Sequence, residues 1–215
     1  MIGRPASHLI DGPAGLLECV QEEPAQAPMG LAIVAHPHPL HGGTMDNKVV
    51  HTLCRAFVLA GWRTVRFNYR GVGRSEGAWD EGLGETEDML AVLAHHQRDA
   101  GVSAQPLALA GFSFGGYVAA QACQRLMQDE VQLVLVSPAT SRFQVPDVPA
   151  GTLVVEGEED DVVPLASILA WARPQSLPVT VVPGAGHFFH GKLTLLRELV
   201  MRHLRAGQMA SSSRV

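Results

Sequence analysis

The sequence has no long apolar run and no cluster of basic residues. No stretch approaches the roughly 20 apolar residues that a membrane-spanning helix requires. The 16 Lys and Arg residues are scattered and the net charge is −5, which argues against nucleic acid and anionic membranes as partners. The N-terminus shows neither a long apolar core nor an obvious cleavage site. We therefore expect a cytoplasmic protein that neither binds nucleic acid nor inserts into a membrane.

Cysteine is scarce as well. The three residues of this type, Cys19, Cys54 and Cys123, form an odd set without the spacing of metal ligands. A disulfide framework is therefore not expected, which agrees with a reducing compartment. Cys54 and Cys123 fall in apolar helical patterns, so we interpret both as buried packing residues.

The composition is that of a compact α/β protein, because 47% of the 215 residues are hydrophobic and 17% are charged. From about residue 30 onward, short apolar runs alternate with helical patterns, which predicts a doubly wound, mostly parallel sheet flanked by helices. An antiparallel hairpin is predicted ahead of them. We assign residues 1–205 to a single domain and residues 206–215 to a flexible C-terminal tail. Strands are predicted over residues 8–10, 16–22, 29–35, 62–69, 107–110, 131–136, 153–155 and 179–182, and helices over about 45–60, 83–98, 114–128 and 189–205.

The segment 107–118 carries the strongest functional signal. Its apolar run ends in Gly-x-Ser-x-Gly at Gly111, Ser113 and Gly115, and a helical pattern follows at once. This order is the sequence form of a nucleophile elbow, in which a sharp turn between strand and helix lifts a serine hydroxyl above the sheet edge. Glycines flank the serine because strand and helix approach closely there. Ser113 is therefore the candidate nucleophile of a predicted serine hydrolase.

A second Gly-x-Ser-x-Gly match, at residues 73–77, competes for this role. Its serine, Ser75, lies six residues beyond Tyr69, the end of the preceding predicted strand, and no helical pattern follows it. A match of this kind is weak without the strand and the helix on either side. We therefore interpret Ser75 as a loop serine.

Two later segments supply a base and an acid. A serine hydroxyl needs a base, usually a histidine that a carboxylate holds in place. The acids of residues 158–161 follow one predicted strand, and His187 follows the next. The carboxyl ends of parallel strands lie at one sheet edge, so we expect both loops near Ser113. A solvated acidic loop and a surface histidine are the alternatives, but their occurrence in the order Ser, Asp, His favours a catalytic triad.

Taken with segments 36–48, 68–77, 157–164 and 186–189, these motifs resemble the α/β-hydrolase superfamily over nearly the whole chain. The set is similar to a small, lidless bacterial esterase-like group related to dienelactone hydrolases and serine aminopeptidases. The resemblance implies an α/β-hydrolase fold without a lid. In the family pattern the acid lies three residues after the strand-end glycine, which here is Asp160. Asp161 is its rival, or caps the following helix.

An oxyanion hole needs two backbone N–H groups aimed at the tetrahedral oxygen. Phe114, directly after the nucleophile, is expected to supply one of them. The resemblance puts the other in the loop after the first parallel strand, where Pro37 and Pro39 have no N–H to donate. His38 is therefore the best candidate for the second donor, and Leu40 is the runner-up.

The run of His36, His38 and His41, close to Asp46, offers the ligand types of a metal site. However, the predicted triad already supplies a complete metal-free mechanism, and the family resemblance implies no cofactor. We therefore predict neither a metal nor another cofactor.

The loop at residues 137–151 bears on the substrate, because larger α/β-hydrolases insert a helical lid at this point. The loop contains prolines and no helical pattern, so we expect an open cleft that favours small acyl substrates. Hydrolysis of short-chain carboxylic esters through an acyl-enzyme is the leading expectation. A peptidase or thioesterase uses the same triad, and the fold also serves as a binding module without catalysis.

Four phenylalanines flank the candidate catalytic positions: Phe112, Phe114, Phe188 and Phe189. They are expected either to line an apolar wall of the site or to pack in the core. No individual substrate-binding residue is predicted. A small-molecule acyl compound is the only partner expected, and a homodimer stays open.

Overall fold

Eight strands form one sheet, and their order brings the carboxyl ends of the central strands to a single edge. The structure, a computed structural model, describes residues 6–99, 106–126 and 131–212. The strands are β1 (Ser7–Gly12), β2 (Gly15–Glu22), β3 (Leu31–Ala35), β4 (Arg63–Phe67), β5 (Leu107–Phe112), β6 (Gln132–Val136), β7 (Leu153–Gly157) and β8 (Val179–Val182). Their order across the sheet is β1-β2-β4-β3-β5-β6-β7-β8. Strands β3 to β8 are parallel, while β2 pairs antiparallel with β1 and β4.

Helices cover both faces of this sheet. They are α1 (Lys48–Leu59), α2 (Leu83–Asp99), α3 (Phe114–Leu126), α4 (Leu165–Ala172) and α5 (Leu193–Ser212). Helices α2 and α3 pack with one apolar cluster, and α1 and α5 pack with the cluster on the opposite face. The central strands are buried on both sides, which explains their continuous apolar runs. The predicted doubly wound, mostly parallel sheet with an N-terminal hairpin is confirmed.

Several boundaries differ from the prediction. Helix α5 extends to Ser212 rather than ending near 205, so the predicted tail 206–215 begins inside this helix. Residues 213–215 lie outside the described part of the chain, as do residues 127 and 128 of the predicted helix 114–128. The flexibility of the tail stays a prediction. Helix α4 begins directly after Pro164 and is only 8 residues long, too short to give a clear helical period.

The loop between β6 and β7 contains no helix anywhere in residues 137–152, all of which are described. The predicted absence of a lid is therefore confirmed. No helix of the described residues combines the length and the apolar character that crossing a membrane requires.

The turn between β5 and α3 is sharp and closely packed. Ser113 has a φ of 58°, in the left-handed region that residues with a side chain rarely adopt. A Cβ atom at Gly111 would lie 1.9 Å from the carbonyl oxygen of Gly115, and one at Gly115 would lie 2.4 Å from that of Ala35. Both glycines are thus required by backbone approach, as the nucleophile-elbow motif predicts.

Candidate active site

Ser113, His187 and Asp160 form a continuous hydrogen-bonded chain at the carboxyl edge of the sheet. The Oγ atom of Ser113 lies 3.1 Å from Nε2 of His187, and Nδ1 of His187 lies 2.7 Å from Oδ2 of Asp160. All three residues are buried. The structure therefore brings together the three residues that the sequence nominated, which follow β5, β8 and β7.

The carboxylate of Asp160 is held on both sides. Its Oδ1 atom accepts hydrogen bonds from the backbone N–H groups of Val162 at 2.9 Å and Val163 at 2.7 Å, while Oδ2 faces His187. Burial alone would raise the pKa of Asp160. The hydrogen bonds from His187 and Val163 outweigh this effect, and the pKa lies below its ordinary value. The Asp160 carboxyl is therefore ionised, and its Oδ2 atom is a fixed hydrogen-bond acceptor for Nδ1 of His187.

The rival acid, Asp161, does not take part in this arrangement. It is exposed, whereas Asp160 is buried against His187. It does not cap α4 either, because the N-cap residue of that helix is Pro164 and has no side-chain capping hydrogen bond. The spacing expected from the family pattern thus corresponds to the carboxylate that contacts the histidine.

A second buried acid at this site, Glu156, lies near the end of β7. It is 0% exposed, and its Oε1 atom accepts from Ser137 Oγ at 3.1 Å and from Gly157 N at 3.0 Å. Its other oxygen has no conventional partner among the described residues. Burial, together with hydrogen bonding to Asp160 and the charge of Asp160, raises the pKa of Glu156 to about 9. Glu156 is therefore protonated at neutral pH.

A cavity of about 290 Å³ opens beside Ser113. The residues around it come from the loops after β3, β5, β6, β7 and β8, which meet at this edge. Its walls are formed by Pro37, His38, His41, Gly42, Gly43, Asn47, Ser113, Phe114, Ala139, Arg142, Phe143, Val162, Val163, His187 and Phe188. The cavity is large enough for a small organic molecule.

The four candidate phenylalanines differ in their surroundings. Phe114 and Phe188 line the cavity; Phe188 is 45% exposed at its rim, whereas Phe114 is fully buried and also packs in the apolar cluster with α2 and α3. Phe112 and Phe189 are fully buried in the apolar cluster shared with α1 and α5. The ring of Phe112 also packs 4.8 Å from that of His187, between ring centroids.

The loop after β3 lines the cavity, and hydrogen bonds within the loop hold His38 in place. The backbone N–H of Leu40 donates to Nδ1 of His38 at 3.2 Å, and the N–H groups of His41 and Gly43 donate to the carbonyl oxygen of His38. The His38 ring packs on Trp79, with centroids 4.6 Å apart. Leu40 thus uses its N–H within the loop.

The metal-ligand alternative finds no support in this loop. His36 is fully buried, with Nδ1 2.7 Å from the carbonyl oxygen of Pro37 and Nε2 accepting from the N–H of Tyr69 at 3.2 Å. Both ring nitrogens are thus engaged by backbone groups. Over the described residues, no group of three or more His, Cys, Asp or Glu side chains is arranged to hold a metal ion.

Ser75, in the second Gly-x-Ser-x-Gly match, has a structural role. Its hydroxyl donates to the carbonyl oxygen of Asn68 at 2.7 Å and accepts from the N–H of Glu18 at 2.9 Å. These two buried hydrogen bonds join the loop after β4 to β2. The side chain is therefore occupied by backbone groups, as the interpretation of Ser75 as a loop serine requires.

Sequence reasoning missed several residues around the site, and two of them, Arg142 and Glu156, carry ionisable groups. Arg142 lines the cavity from the loop after β6, and Glu156 supports Asp160 from β7. The acidic residue at 156 inside an apolar strand was the one available signal, because a charged side chain is rarely buried without a partner.

Comparison with known proteins gives the family. A family model described as serine aminopeptidase, S33, matches residues 38–149, which include Ser113. An uncharacterised protein of Rickettsia prowazekii is 31% identical over 196 residues, which covers 85% of this chain and 82% of that protein. The chain belongs to the α/β-hydrolase superfamily.

Two solved α/β-hydrolase structures are similar over almost the full length. A serine hydrolase homologue from Coxiella burnetii is 42% identical with a TM-score of 0.83, and the match covers 95% of this chain and 99% of that one. A lidless serine hydrolase from Xanthomonas campestris is 35% identical with a TM-score of 0.86, and covers 96% of both chains. These matches support the view that the protein is an enzyme of the serine hydrolase class.

Proposed function

We propose that this α/β hydrolase cleaves small carboxylic esters through a Ser-His-Asp triad and an acyl-enzyme intermediate. The observation that carries the proposal is the hydrogen-bonded chain from Ser113 through His187 to Asp160, with the serine hydroxyl at the wall of an open cavity. Nucleophile, base and orienting acid within hydrogen-bonding distance of one another are the geometric requirement for acyl transfer.

The first half of the reaction forms the acyl-enzyme. Nε2 of His187 takes the proton from Ser113 Oγ as the oxygen attacks the acyl carbonyl carbon. The C–O bond to the alcohol then breaks, and His187 gives its proton to the departing alkoxide. Asp160 fixes the tautomer of His187 and stabilises the imidazolium during both steps. Water repeats the sequence on the acyl-enzyme and releases the acid, with Ser113 restored.

The oxyanion is held by the backbone N–H groups of Phe114 and His38 in this proposal. Phe114 is the first residue of α3, so its N–H has no intrahelical acceptor. Both residues line the cavity with Ser113. His38 is favoured over Leu40 because the Leu40 N–H already donates to the His38 ring. Two such donors are worth several kcal/mol of transition-state stabilisation, roughly 3 kcal/mol each.

The open cavity favours a small ester over a long acyl chain. No helix covers the site from the loop between β6 and β7, and the cavity of about 290 Å³ has the volume for a short acyl group with its alcohol. Peptide and thioester hydrolysis use the same triad, and the family model is described as serine aminopeptidase. A panel of matched ester, thioester and aminoacyl amide substrates separates these activities.

The test is a pair of serine variants. Ser113→Ala should reduce kcat on a short-chain para-nitrophenyl ester by about 1,000-fold or more, because it removes the nucleophile. Ser75→Ala is the matched control from the other motif: it should lose stability of about 1 to 3 kcal/mol through two buried hydrogen bonds but keep turnover. Loss of activity in the folded Ser75 variant with full activity in Ser113→Ala would overturn the proposal.

Turnover should also fall at acidic pH. General-base catalysis in the first step requires an imidazole in its neutral form. A pH profile of kcat/KM measured on the same ester checks this expectation. A non-catalytic binding module would give no turnover at any pH and no difference between the serine variants.

A further inference from the structure

The cavity beside Ser113 has a cationic end. Arg142, His38 and His41 line it together, and none of the lining residues is Asp or Glu. The chain as a whole has a net charge of −5, so this concentration of positive and titratable nitrogen groups does not follow from composition. The nearest catalytic acid, Asp160, lies behind His187 and is engaged by it.

Arg142 has no acidic partner in the part of the chain that the structure describes. Its Nη1 atom donates to Nε2 of His41 at 3.5 Å, and no carboxylate oxygen of the residues that the structure describes lies within 4.0 Å of its guanidinium. Other arginines near the sheet are paired: Arg70 with Asp88, and Arg66 with Glu22. The guanidinium of Arg142 is therefore available to an anion from solution.

The position of Arg142 is tied to the nucleophile. The N–H of Ala139 donates to the carbonyl oxygen of Ser113 at 3.2 Å, and the carbonyl oxygen of Ala139 accepts from Arg142 N at 3.2 Å and Phe143 N at 3.0 Å. The ring of Phe143 stacks on that of Tyr117, with centroids 4.8 Å apart. The turn that carries Arg142 is thus hydrogen-bonded to the elbow itself, which limits how far the arginine backbone moves relative to Ser113.

The rest of the cavity wall is apolar. Phe114, Phe143, Val162 and Phe188 line it, and Val162 and Phe188 are exposed at the rim. An apolar wall with one cationic end matches a molecule that has an apolar part and an anionic group. A neutral short ester would leave the arginine without a partner.

The geometry points to a carboxylate-bearing ester as the preferred substrate, with Arg142 binding the carboxylate and His41 beside it. This inference rests on the proposed ester hydrolysis and names its substrate class. A planar guanidinium offers two parallel N–H donors to a carboxylate, which gives both strength and orientation. Burial lowers the pKa of His38, and the charges of His41 and Arg142 lower it further, as expected in a region of positive potential.

The experiment compares two pairs of esters that differ in one carboxylate. Monophenyl glutarate and phenyl pentanoate carry the difference in the acyl part, and para-acetoxybenzoate and methyl para-acetoxybenzoate carry it in the leaving group. For each pair, the ratio of kcat/KM for the anionic ester to that for the neutral ester is measured. The proteins are the wild type, Arg142→Gln, Arg142→Lys and a control, Arg202→Gln, which changes an exposed arginine of α5 outside the cavity.

Arg142→Gln should lower this ratio by about tenfold or more in at least one pair, because a charge-assisted hydrogen bond is lost. Arg142→Lys should lower it less, and Arg202→Gln should leave it unchanged. The ratio of the wild type should also fall as NaCl is raised, since the attraction is between charges near solvent. The inference is overturned if, for both ester pairs, the anionic-to-neutral ratio of kcat/KM in Arg142→Gln stays within about threefold of the wild-type ratio.

Equilibrium binding separates this inference from the proposed function. Monophenyl glutarate is titrated into Ser113→Ala and into the double variant Ser113→Ala with Arg142→Gln. The measurement is of binding alone, so it does not require either protein to hydrolyse the ester. Weaker binding by about tenfold in the double variant supports the anion site even if no ester is hydrolysed. Equal affinity in the two proteins contradicts it even if neutral esters are good substrates.

Discussion

Glu156→Gln should remove a pH-dependent cost to stability. In the native protein the Glu156 carboxyl is buried beside Asp160, and these surroundings raise its pKa to about 9 from an ordinary value of 4.5. Between these two values the folded state keeps a proton that the unfolded state releases. The unfolded state therefore gains stability relative to the folded state as pH rises through this window.

The slope follows from the linkage relation. One proton bound in the folded state and absent from the unfolded state changes the free energy of unfolding by about 1.4 kcal/mol per pH unit. From pH 6 to pH 8, which lies inside the window, the Glu156 contribution should fall by about 2 to 3 kcal/mol. Gln has nearly the same shape as Glu, and its side-chain oxygen can accept from Ser137 Oγ and Gly157 N as the Glu156 carboxyl does.

The assay is urea unfolding of the wild type and Glu156→Gln at pH 6, 7 and 8. The variant should become more stable relative to the wild type by about 1 to 1.4 kcal/mol with each unit. Because both proteins share all other titrating groups, the difference isolates position 156. Glu158→Gln, which changes an exposed acid directly after β7, is the control for loss of a carboxyl. A difference in unfolding free energy between wild type and Glu156→Gln that stays constant from pH 6 to pH 8 would show that Glu156 does not hold a proton in the folded protein.

Three further predictions concern the site and its turn. Asp160→Asn should reduce kcat by about 1,000-fold or more through the wrong histidine tautomer, and Asp161→Asn should leave it nearly unchanged; equal losses in steady-state assays would contradict this. Gly115→Ala should lower the free energy of unfolding by about 3 kcal/mol or more, because its Cβ would lie 2.4 Å from the Ala35 carbonyl oxygen. If Gly115→Ala unfolds at the same urea concentration as the wild type, the close packing of the elbow is contradicted. His38→Pro should lose about 100-fold in kcat relative to His38→Ala, since His38 has a φ of −54° that proline accepts and only its N–H is removed; equal kcat values would exclude this donor.

The parts of the site that sequence predicted are those with local signals. The elbow requires glycines at 111 and 115 because β5 and α3 approach closely there, and His187 lies in the loop that follows β8. The parallel order of β5, β7 and β8 then brings the three loops to one edge without further information. The three residues of the proposed triad could therefore be selected from the sequence alone.

The parts that sequence did not predict depend on long-range contacts. Arg142 lies in a loop without any motif, and long-range contacts bring its turn to the site, among them the hydrogen bond from Ala139 N to the Ser113 carbonyl oxygen and the stacking of Phe143 on Tyr117. The link between Glu156 and Asp160 depends on how the chain turns after β7, which composition does not encode. Helix α4 was not delimited because 8 residues give barely two turns of periodicity.

The most direct test of the account is labelling with a fluorophosphonate probe. The purified protein is treated with the probe, the modified residue is mapped by mass spectrometry, and turnover of a short-chain ester is measured before and after. If Ser113 is the nucleophile, a single adduct forms on Ser113 and turnover falls in proportion to labelling. An adduct on Ser75 with loss of turnover, or undiminished hydrolysis after complete labelling of Ser113, would contradict it.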